Sequence, residues 1–354
     1  MSPSAPSVPT PLGRRAESTG SHPAPGYAEM PGTSEQPMDA ATVADLAGRI
    51  AGAVQHVVVG KPEAVRLALV AMLAEGHLLV EDVPGVGKTS LAKALARAVD
   101  GAVSRIQFTP DLLPGDITGS SIYDRNTSEF EFRPGPVFAN VVIADEINRA
   151  SPKTQSALLE CMAEHQVTVD GGTYSLGDPF MVVATQNPVE MDGTYPLPEA
   201  QRDRFTVRIS VGYPDPAAEL AMLDEHGASD PMDRLRPVTD LRTVRAMMAA
   251  TRNLHTAAEV RRYCVDIVGA TRRLPEVRLG ASPRATLHLL RAARAWAVTS
   301  GRGYVVPDDV QAVAGPVLAH RLVLSPEGVA ARRSEADLVR TAVGRVAVPS
   351  PPRG

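Results

Sequence analysis

The residues with the clearest chemistry form one run, Asp82-Val83-Pro84-Gly85-Val86-Gly87-Lys88-Thr89. An apolar run precedes it and a helix-like run follows it, so the order is strand, glycine-rich turn and helix N-terminus. In this order, backbone N–H groups and the positive end of the helix dipole point at an anion. Lys88 adds a full positive charge, and the Thr89 hydroxyl suits Mg²⁺. The usual pattern begins with glycine, whereas this chain has Asp82 there. The run predicts a site for phosphate groups.

Two carboxylates follow a second apolar run. Val141-Val142-Ile143-Ala144 leads directly into Asp145 and Glu146. Parallel α/β sheets place ligands at the carboxyl ends of their strands, so these side chains are expected near the phosphate loop. Asp145 can hold Mg²⁺ through water, and Glu146 can orient and polarise an attacking water. The alternative is a solvated acidic strand end, which the upstream phosphate loop disfavours.

Two more polar residues flank later apolar runs. Asn187 follows the run 182–185, where its amide could hold the nucleophilic water, although Asn-Pro at a strand end is commonly only a turn. Arg204 precedes the last run, where a guanidinium would lie far from its own phosphate loop but could face the nucleotide of a neighbouring subunit. A surface arginine is the alternative for Arg204, because the chain is rich in arginine.

Arg284 lies in the first turn of a predicted helix. Ser282 suits the N-cap of that helix, and Pro283 suits its first position. A cation is disfavoured at a helix N-terminus because the dipole opposes it. A phosphate contact would explain Arg284 there, and an ordinary exposed arginine is the alternative.

Composition and charge narrow the class of protein. The 354 residues carry a net charge of −4, which gives no sign of a nucleic-acid partner. Cys161 and Cys264 lie in apolar helical contexts and are expected to be buried thiols in a reducing compartment. The best membrane candidate, 65–79, is interrupted by polar residues and is too short to span a bilayer. We expect a cytoplasmic protein without direct membrane insertion.

The chain divides into four predicted segments. Residues 1–40 and 347–354 are rich in Pro and small residues and are expected to be disordered tails. Residues 41–212 form an α/β domain, in which apolar runs alternate with helical stretches as in a parallel sheet covered on both faces. The five predicted strands are His77–Val83, Val103–Phe108, Val137–Ala144, Phe180–Thr185 and Phe205–Val211.

Residues 213–346 show helical spacing and predict a second, helical domain. The predicted helices are Leu241–Arg252, Ala257–Arg272, Pro283–Thr299, Pro307–Ala319 and Ala330–Val343. The α/β segment also contains two predicted hairpins. One includes the alternating residues 129–133, and the other turns at Asp170-Gly171. We expect both to face the pore of a ring or a partner, and ordinary surface loops are the alternative.

The residues of four motifs resemble those of the MoxR family of AAA+ ATPases, and the resemblance covers roughly residues 41–346. The four are the run 81–89, Phe108–Asp116, Ala144–Ala150 and Glu199–Phe205. Asp at the position of Asp82 is common in that family. Arg202 departs from the usual Leu, and Arg204 matches the family's Asp-Arg-Phe, so Arg204 is favoured over Arg202. The resemblance implies a P-loop AAA+ fold with a five-stranded parallel sheet, helices on both faces and a small all-α lid domain.

The resemblance also assigns roles to residues. It places Lys88 and Thr89 in Walker A and Asp145 and Glu146 in Walker B. Asn187 matches sensor 1, Arg204 the arginine finger and Arg284 sensor 2. The expected ATP-binding residues are Val59, Gly60, Pro84, Gly85, Val86, Gly87, Lys88, Thr89 and Ser90, with Thr89 and Asp145 for Mg²⁺.

By this resemblance, the leading hypothesis is a Mg²⁺-dependent ATPase that forms a ring, expected to be a hexamer, and remodels or matures partner proteins. The implied partner carries a von Willebrand factor A domain. One alternative is the motor subunit of a metal chelatase. A nucleic-acid motor or transcription activator is disfavoured by the acidic balance. A nucleotide-gated scaffold is disfavoured by the complete set of catalytic residues.

Overall fold

The computed structural model of the chain describes residues 22–23, 38–188, 194–220 and 230–349. The predicted tails lie largely outside these residues, and the four segment boundaries stay predictions. Within the first tail, His22–Pro23 forms a two-residue strand, β1, whose parallel partner is Gly172–Ser175. The first helix begins at Ala40, after an N-cap at Asp39 whose side chain accepts a hydrogen bond from the backbone N–H of Thr42.

A five-stranded parallel sheet forms the centre of the α/β domain. Its strands are β2 (Leu78–Glu81), β3 (Val103–Gln107), β6 (Val141–Asp145), β9 (Met181–Gln186) and β10 (Val207–Ile209). Their spatial order is β10-β2-β9-β6-β3, and every adjacent pair is parallel. Each strand falls within a predicted apolar run or within one residue of it. The predicted fold class is confirmed.

Side chains of the central strands alternate between two hydrophobic cores, because successive residues of a strand point to opposite faces. Val80, Ile143 and Val183 belong to the core beneath the helices that precede β2 and follow it. Leu79 and Val142 belong to a second core on the other face. Burial on both faces explains why these strands are apolar throughout instead of alternating with polar residues.

Helices cover both faces of this sheet. Those of the α/β domain are α1 (Ala40–Gln55), α2 (Pro62–Leu73), α3 (Lys88–Ala98), α4 (Pro114–Thr118), α5 (Pro152–Glu164) and α6 (Glu199–Arg202), with a 3₁₀ turn at Ile147–Arg149. Residues 216–220 are also helical. Ser151 caps α5, since its side chain accepts a hydrogen bond from the backbone N–H of Thr154.

Two antiparallel hairpins extend from the α/β domain, as predicted. The first pairs β4 (Gly119–Asp124) with β5 (Glu129–Pro134), and the second pairs β7 (Gln166–Val169) with β8 (Gly172–Ser175). The second turns at Asp170 and Gly171, both with positive φ, which matches a two-residue hairpin turn. Three apolar side chains of the first hairpin are exposed, namely Ile122, Tyr123 and Phe130.

The lid is helical, with one small hairpin. Its helices are α7 (Pro231–Arg234), α8 (Leu241–Arg252), α9 (Ala258–Thr271), α10 (Pro283–Thr299), α11 (Pro307–Leu318), α12 (Pro326–Ala330) and α13 (Glu335–Gly344). A 3₁₀ turn at Ala319–Arg321 follows α11, and β11 (Val277–Leu279) pairs with β12 (Val323–Leu324).

The predicted helix over 330–343 is wrong in one respect, because two helices share that segment. The break contains Arg332, whose φ is +51°, and Ser334 then caps α13 in a capping box with Asp337. Arg332 and Arg333, which precede Ser334, do not interrupt the helical spacing of apolar residues. The sequence pattern therefore predicted one continuous helix across the break.

The lid and the α/β domain share one continuous core. Residues of α1, α2, α9, α10 and α11 belong to the same cluster of buried apolar side chains. Above it, the guanidinium of Arg66 on α2 lies 3.5 Å from the ring centroid of Trp296 on α10 and donates to the Ser300 hydroxyl. None of the described helices is both long enough and apolar enough to cross a bilayer.

Candidate active site

Four of the five strands of the central sheet end in polar residues at one edge. Because the strands are parallel, Gln107, Asp145, Gln186 and Asp82 meet there, with the phosphate loop between β2 and α3. Gln107 and Asp145 are register partners, as are Glu81 and Gln186. The sheet topology thus places the phosphate loop and Asp145 at the same edge of the sheet.

The phosphate loop has the backbone its glycines allow. Gly85 and Gly87 have φ values of +84° and +88°, and α3 begins at Lys88 directly after Gly87. The Lys88 ammonium donates to the backbone carbonyls of Asp82 at 2.6 Å and Gln186 at 3.4 Å. Partial burial lowers the pKa of Lys88, and the nearby carboxylates of Asp82, Asp145 and Glu146 oppose that shift. The cation is therefore held over the loop, at the N-terminus of a helix.

Asp82 ties the phosphate loop to the end of β10. Its Oδ2 accepts hydrogen bonds from the Ser210 hydroxyl at 2.7 Å and the Gly212 backbone N–H at 2.6 Å, while Oδ1 accepts from the Val83 N–H at 2.9 Å. Burial would raise the pKa of this carboxyl, but these hydrogen bonds outweigh burial and the pKa is lowered. The carboxylate that replaces the usual glycine thus connects the loop to the chain that enters the lid.

Thr89 and Asp145 face each other across the edge of the sheet. The Thr89 hydroxyl lies 3.4 Å from Oδ1 and 3.3 Å from Oδ2 of Asp145. The Thr185 hydroxyl donates to Oδ1, and the Arg105 guanidinium pairs with Oδ2 at 2.6 Å. A hydroxyl and a carboxylate form the hard oxygen donor set that Mg²⁺ takes, so these two residues fit a magnesium site. The described residues hold no cluster of three His, Cys, Asp or Glu side chains placed for a metal.

Glu146 is held beside Asp145 in an unusual backbone conformation. Its φ of +56° puts it in the left-handed region, and its N–H donates to the Thr185 hydroxyl at 3.0 Å. The same carboxylate oxygen, Oε2, accepts from the Gln107 amide at 3.0 Å and pairs with Arg149 at 3.1 Å. Strained backbone that several contacts hold in place is common at functional sites. Glu146 is thereby positioned at the end of the strand, with its carboxylate partly exposed.

Asn187 and Arg284 occupy the elements that the sequence predicted for them. Asn187 follows β9 directly and is half-buried. Arg284 is exposed in the first turn of α10, whose N-cap is Ser282 and whose first residue is Pro283. The roles of both residues toward a nucleotide stay predictions.

Arg204 is half-buried and donates to the backbone carbonyl of Leu159 on α5. Arg202, two residues earlier, has a buried Nε without a hydrogen-bond partner within the described part of the chain. Arg202 is the last residue of α6, and Arg204 lies between α6 and β10. Their roles, and the preference for Arg204, stay predictions.

The region expected to contact adenine lies against the start of the lid. Gly60 has a φ of +74°, and a Cβ there would lie 3.0 Å from the Cβ of Ala218. The neighbouring Lys61 ammonium donates to the Tyr213 carbonyl at 2.7 Å. The strap that includes Val59 and Gly60 is thus held at the junction of the two domains.

Sequence reasoning missed three residues of this site. Gln107 and Thr185 lie at or near strand ends, on the same edge as Asp145, and that position was the available signal. Arg321 is connected to this region through contacts with residues more than one hundred positions earlier, such as Asp203 at a separation of 118. No local pattern identifies a contact of that kind.

Most of the chain is similar in sequence to known proteins. Residues 77–207 match the sequence profile described as the ATPase family associated with various cellular activities (AAA), and residues 269–342 match the AAA lid domain. An uncharacterised protein of Bacillus subtilis, YeaC, is 49% identical over 304 residues, which cover 86% of this chain and 95% of that protein.

Two further similarities carry informative names. Chaperone MoxR1 of Mycobacterium tuberculosis is 44% identical, over 84% of this chain and 80% of its own length. The crystal structure of a proposed ATPase from Cytophaga hutchinsonii superposes with a TM-score of 0.81 at 38% identity, covering 88% of this chain and 97% of that one. With the phosphate loop and the paired carboxylates at one edge of the sheet, these similarities show that the chain is an ATPase and belongs to the MoxR family of AAA+ proteins.

Proposed function

We propose that this ATPase hydrolyses ATP with Mg²⁺ in a ring of identical subunits, expected to be a hexamer, and uses the energy to remodel or mature partner proteins. The observation that carries the proposal is the convergence of Lys88, Thr89, Asp145 and Glu146 at the carboxyl edge of one sheet. The proposal keeps the cytoplasmic location expected from the sequence.

The residues divide the chemistry between them. Backbone N–H groups of the phosphate loop and the Lys88 ammonium bind the phosphates, and the Thr89 hydroxyl and Asp145 hold the metal. A bound Mg²⁺ neutralises charge on the phosphate oxygens. Glu146 then accepts the proton of the attacking water and orients that water, assisted by Asn187.

Two arginines complete the site. Arg284, on the lid, contacts the phosphates of its own subunit, whereas Arg204 reaches the nucleotide of the neighbouring subunit. Guanidinium groups suit this role because they spread positive charge over a planar fork that matches phosphate oxygens. The requirement for a neighbour would make hydrolysis depend on assembly.

Output to a partner is proposed at the hairpin β4–β5. Tyr123 and Phe130 are register partners there, with ring centroids 5.3 Å apart, and 49% and 74% of their surfaces are exposed. An exposed aromatic pair on a projecting hairpin favours contact with another protein. The name of the relative MoxR1 includes the word chaperone, and a von Willebrand factor A-domain protein remains the partner that the family resemblance implies.

Glu146→Gln tests the catalytic assignment. We expect the rate of ATP hydrolysis to fall at least about a hundredfold, because the amide cannot accept the proton of the attacking water. Equilibrium binding of ATP should be retained, since the amide keeps the size of the side chain. Phosphate release and fluorescent-ATP titration measure the two quantities.

Glu160→Gln is the matched control, because Glu160 is an exposed carboxylate on α5. It should hydrolyse ATP as the wild type does. A Glu146→Gln protein with wild-type turnover would contradict the assignment of Glu146 as the base.

A further inference from the structure

A buried arginine of the lid contacts the segment that carries the proposed finger. Arg321 has only 1% of its side chain exposed and pairs with the Asp203 carboxylate at 2.9 Å. Its guanidinium also donates to the backbone carbonyls of Asp203 at 3.2 Å and Phe205 at 2.6 Å. Asp203 and Phe205 are the residues on either side of Arg204 in the chain. One lid side chain thus holds both neighbours of Arg204.

Lid residues satisfy the remaining polar groups around Arg321. It donates to the Val317 carbonyl on α11 and, at 2.6 Å, to Nδ1 of His288 on α10. His320 contacts the Phe205 carbonyl through Nε2 at 3.0 Å. Burial and the positive charge of Arg321 lower the pKa of His288 to about 2, so this imidazole is neutral and can accept the hydrogen bond. Several charge-assisted bonds in one buried cluster favour a single arrangement of the two domains.

The second contact to Asp203 comes from the helix that carries Arg284. The Ser282 hydroxyl donates to both carboxylate oxygens of Asp203, at 2.8 Å and 3.0 Å. Ser282 is also the N-cap of α10, where it accepts from the Ala285 N–H. A displacement of the first turn of α10 therefore moves the Ser282 hydroxyl, which donates hydrogen bonds to Asp203.

We propose that Arg321, Asp203 and Ser282 form a linkage through which the position of the lid sets the position of Arg204. When Arg284 contacts the nucleotide of its own subunit, α10 moves. The linkage then shifts Arg204, which faces the nucleotide of the next subunit. Asp203, Ser282 and Arg321 are positioning residues, because they act through Arg204 and contact no nucleotide themselves. The inference rests on the proposed roles of Arg204 and Arg284.

Mixed assemblies test the linkage. Arg204→Ala protein should lose activity, and mixing it with Glu146→Gln protein should restore part of that activity, since the second protein supplies an intact finger. Asp203→Asn protein keeps its own Walker residues, so we expect kcat to fall about tenfold or more with little change in ATP affinity. It should recover in the same mixture to the same extent as Arg204→Ala.

Two variants guard against a folding defect. Arg321→Lys keeps the charge but loses the planar fork, so it should show the same fall in kcat and the same recovery. Asp309→Asn is the matched control. Asp309 is 1% exposed and pairs with Arg302 within the lid rather than with Asp203 or Phe205, so its replacement should leave kcat unchanged. Thermal melting of all variants shows which of them are folded.

The outcomes separate the linkage from the function it rests on. Recovery of Arg204→Ala without recovery of Asp203→Asn and Arg321→Lys would overturn the linkage, because those residues would then act only within their own subunit. Failure of every mixture would overturn the shared site, and the linkage with it.

Hydrogen exchange provides a second measurement on folded protein. In a Glu146→Gln background, adding ATP should change the exchange of backbone amides at 203–206 and 319–321. Replacing Arg284 by Ala in that background should reduce this change, while ATP still binds. An equal change with and without Arg284 would contradict the proposal.

Discussion

At the scale of single residues, Asp82 explains how this phosphate loop departs from the common pattern. Glycine is usual at this position, where it imposes no side-chain contact. Here the side chain accepts three hydrogen bonds, two of them from residues 210 and 212 beyond β10. The loop therefore gains a fixed attachment to the chain that leads into the lid.

We expect Asp82→Asn to weaken both folding and ATP use. An amide cannot accept at both ends, so at least one of the three partly buried hydrogen bonds to this charged carboxylate is lost, at a cost of about 1–3 kcal/mol in the free energy of unfolding. The loop should also shift, which would raise the KM for ATP. Urea unfolding and steady-state kinetics measure the two effects.

Asp100→Asn is the comparison for Asp82→Asn. Asp100 is exposed and has a φ of +52°, a conformation that Asn adopts readily. If Asp82→Asn unfolds and hydrolyses ATP as Asp100→Asn does, the attachment at Asp82 has no energetic value.

At the scale of elements, the root of the β4–β5 hairpin depends on the close approach of two backbones. A Cβ on Gly135 would lie 2.3 Å from the Ile117 carbonyl oxygen, and one on Gly119 would lie 2.2 Å from that of Arg133. Atoms this close must move apart, so only glycine fits without displacing a strand. The hairpin is held to α4 at this crossing.

Gly135→Ala should therefore loosen the hairpin. We expect a loss of about 1–3 kcal/mol in stability, as for other overpacked sites, and faster cleavage by trypsin after Arg125 in the hairpin turn. Gly115→Ala is the control, because a Cβ at Gly115 meets nothing within 4 Å. Equal rates of cleavage in the two variants would show that the crossing tolerates a side chain.

Elements that depend on local pattern were predictable from the sequence. Buried parallel strands require apolar residues along their length, so continuous apolar runs in the sequence predicted β2, β6 and β9. Helix α10 matched its predicted bounds because Ser282 and Pro283 are strong start signals. The break before α13 was missed, because Arg332 in the left-handed region has no sequence signature.

Only part of the candidate site was predictable from the sequence. Lys88, Thr89 and Asp145 follow from a motif and from the rule that parallel strands align their carboxyl ends. The contacts of Asp82 with residues near 211 and of Arg321 with Asp203 depend on packing between distant segments. These contacts are determined by the three-dimensional fold, and no spacing of residues along the chain indicates them.

At the scale of the whole molecule, buried neutral histidines connect folding to pH. His77, directly before β2, accepts from the Val182 N–H through Nδ1 and contacts the Met162 carbonyl through Nε2. Burial lowers its pKa to about 4, and burial also lowers the pKa of His320 at the boundary between the domains. Protonation of either imidazole therefore favours the unfolded chain, in which the pKa is higher.

We expect the free energy of unfolding to fall as pH is lowered. Between about pH 6.5 and pH 4 an unfolded His77 binds a proton that the folded one does not, so acid favours unfolding by about 3 kcal/mol at this residue. His77→Gln keeps an acceptor and a donor but cannot titrate. Urea titrations at several pH values should therefore show a weaker pH dependence for this variant.

The exposed His56 provides the control for this measurement. His56→Gln should keep the pH dependence of the wild type. If His77→Gln and His56→Gln depend on pH equally, His77 does not contribute to acid sensitivity.

The contacts of Asp82 decide where chimeras of this family should be joined. A join placed at the start of β10 would take Ser210 and Gly212 from one parent and Asp82 from the other. A join after residue 212 keeps the acceptor and both donors from a single parent. Lids could then be exchanged between relatives without disturbing the loop that holds the phosphates.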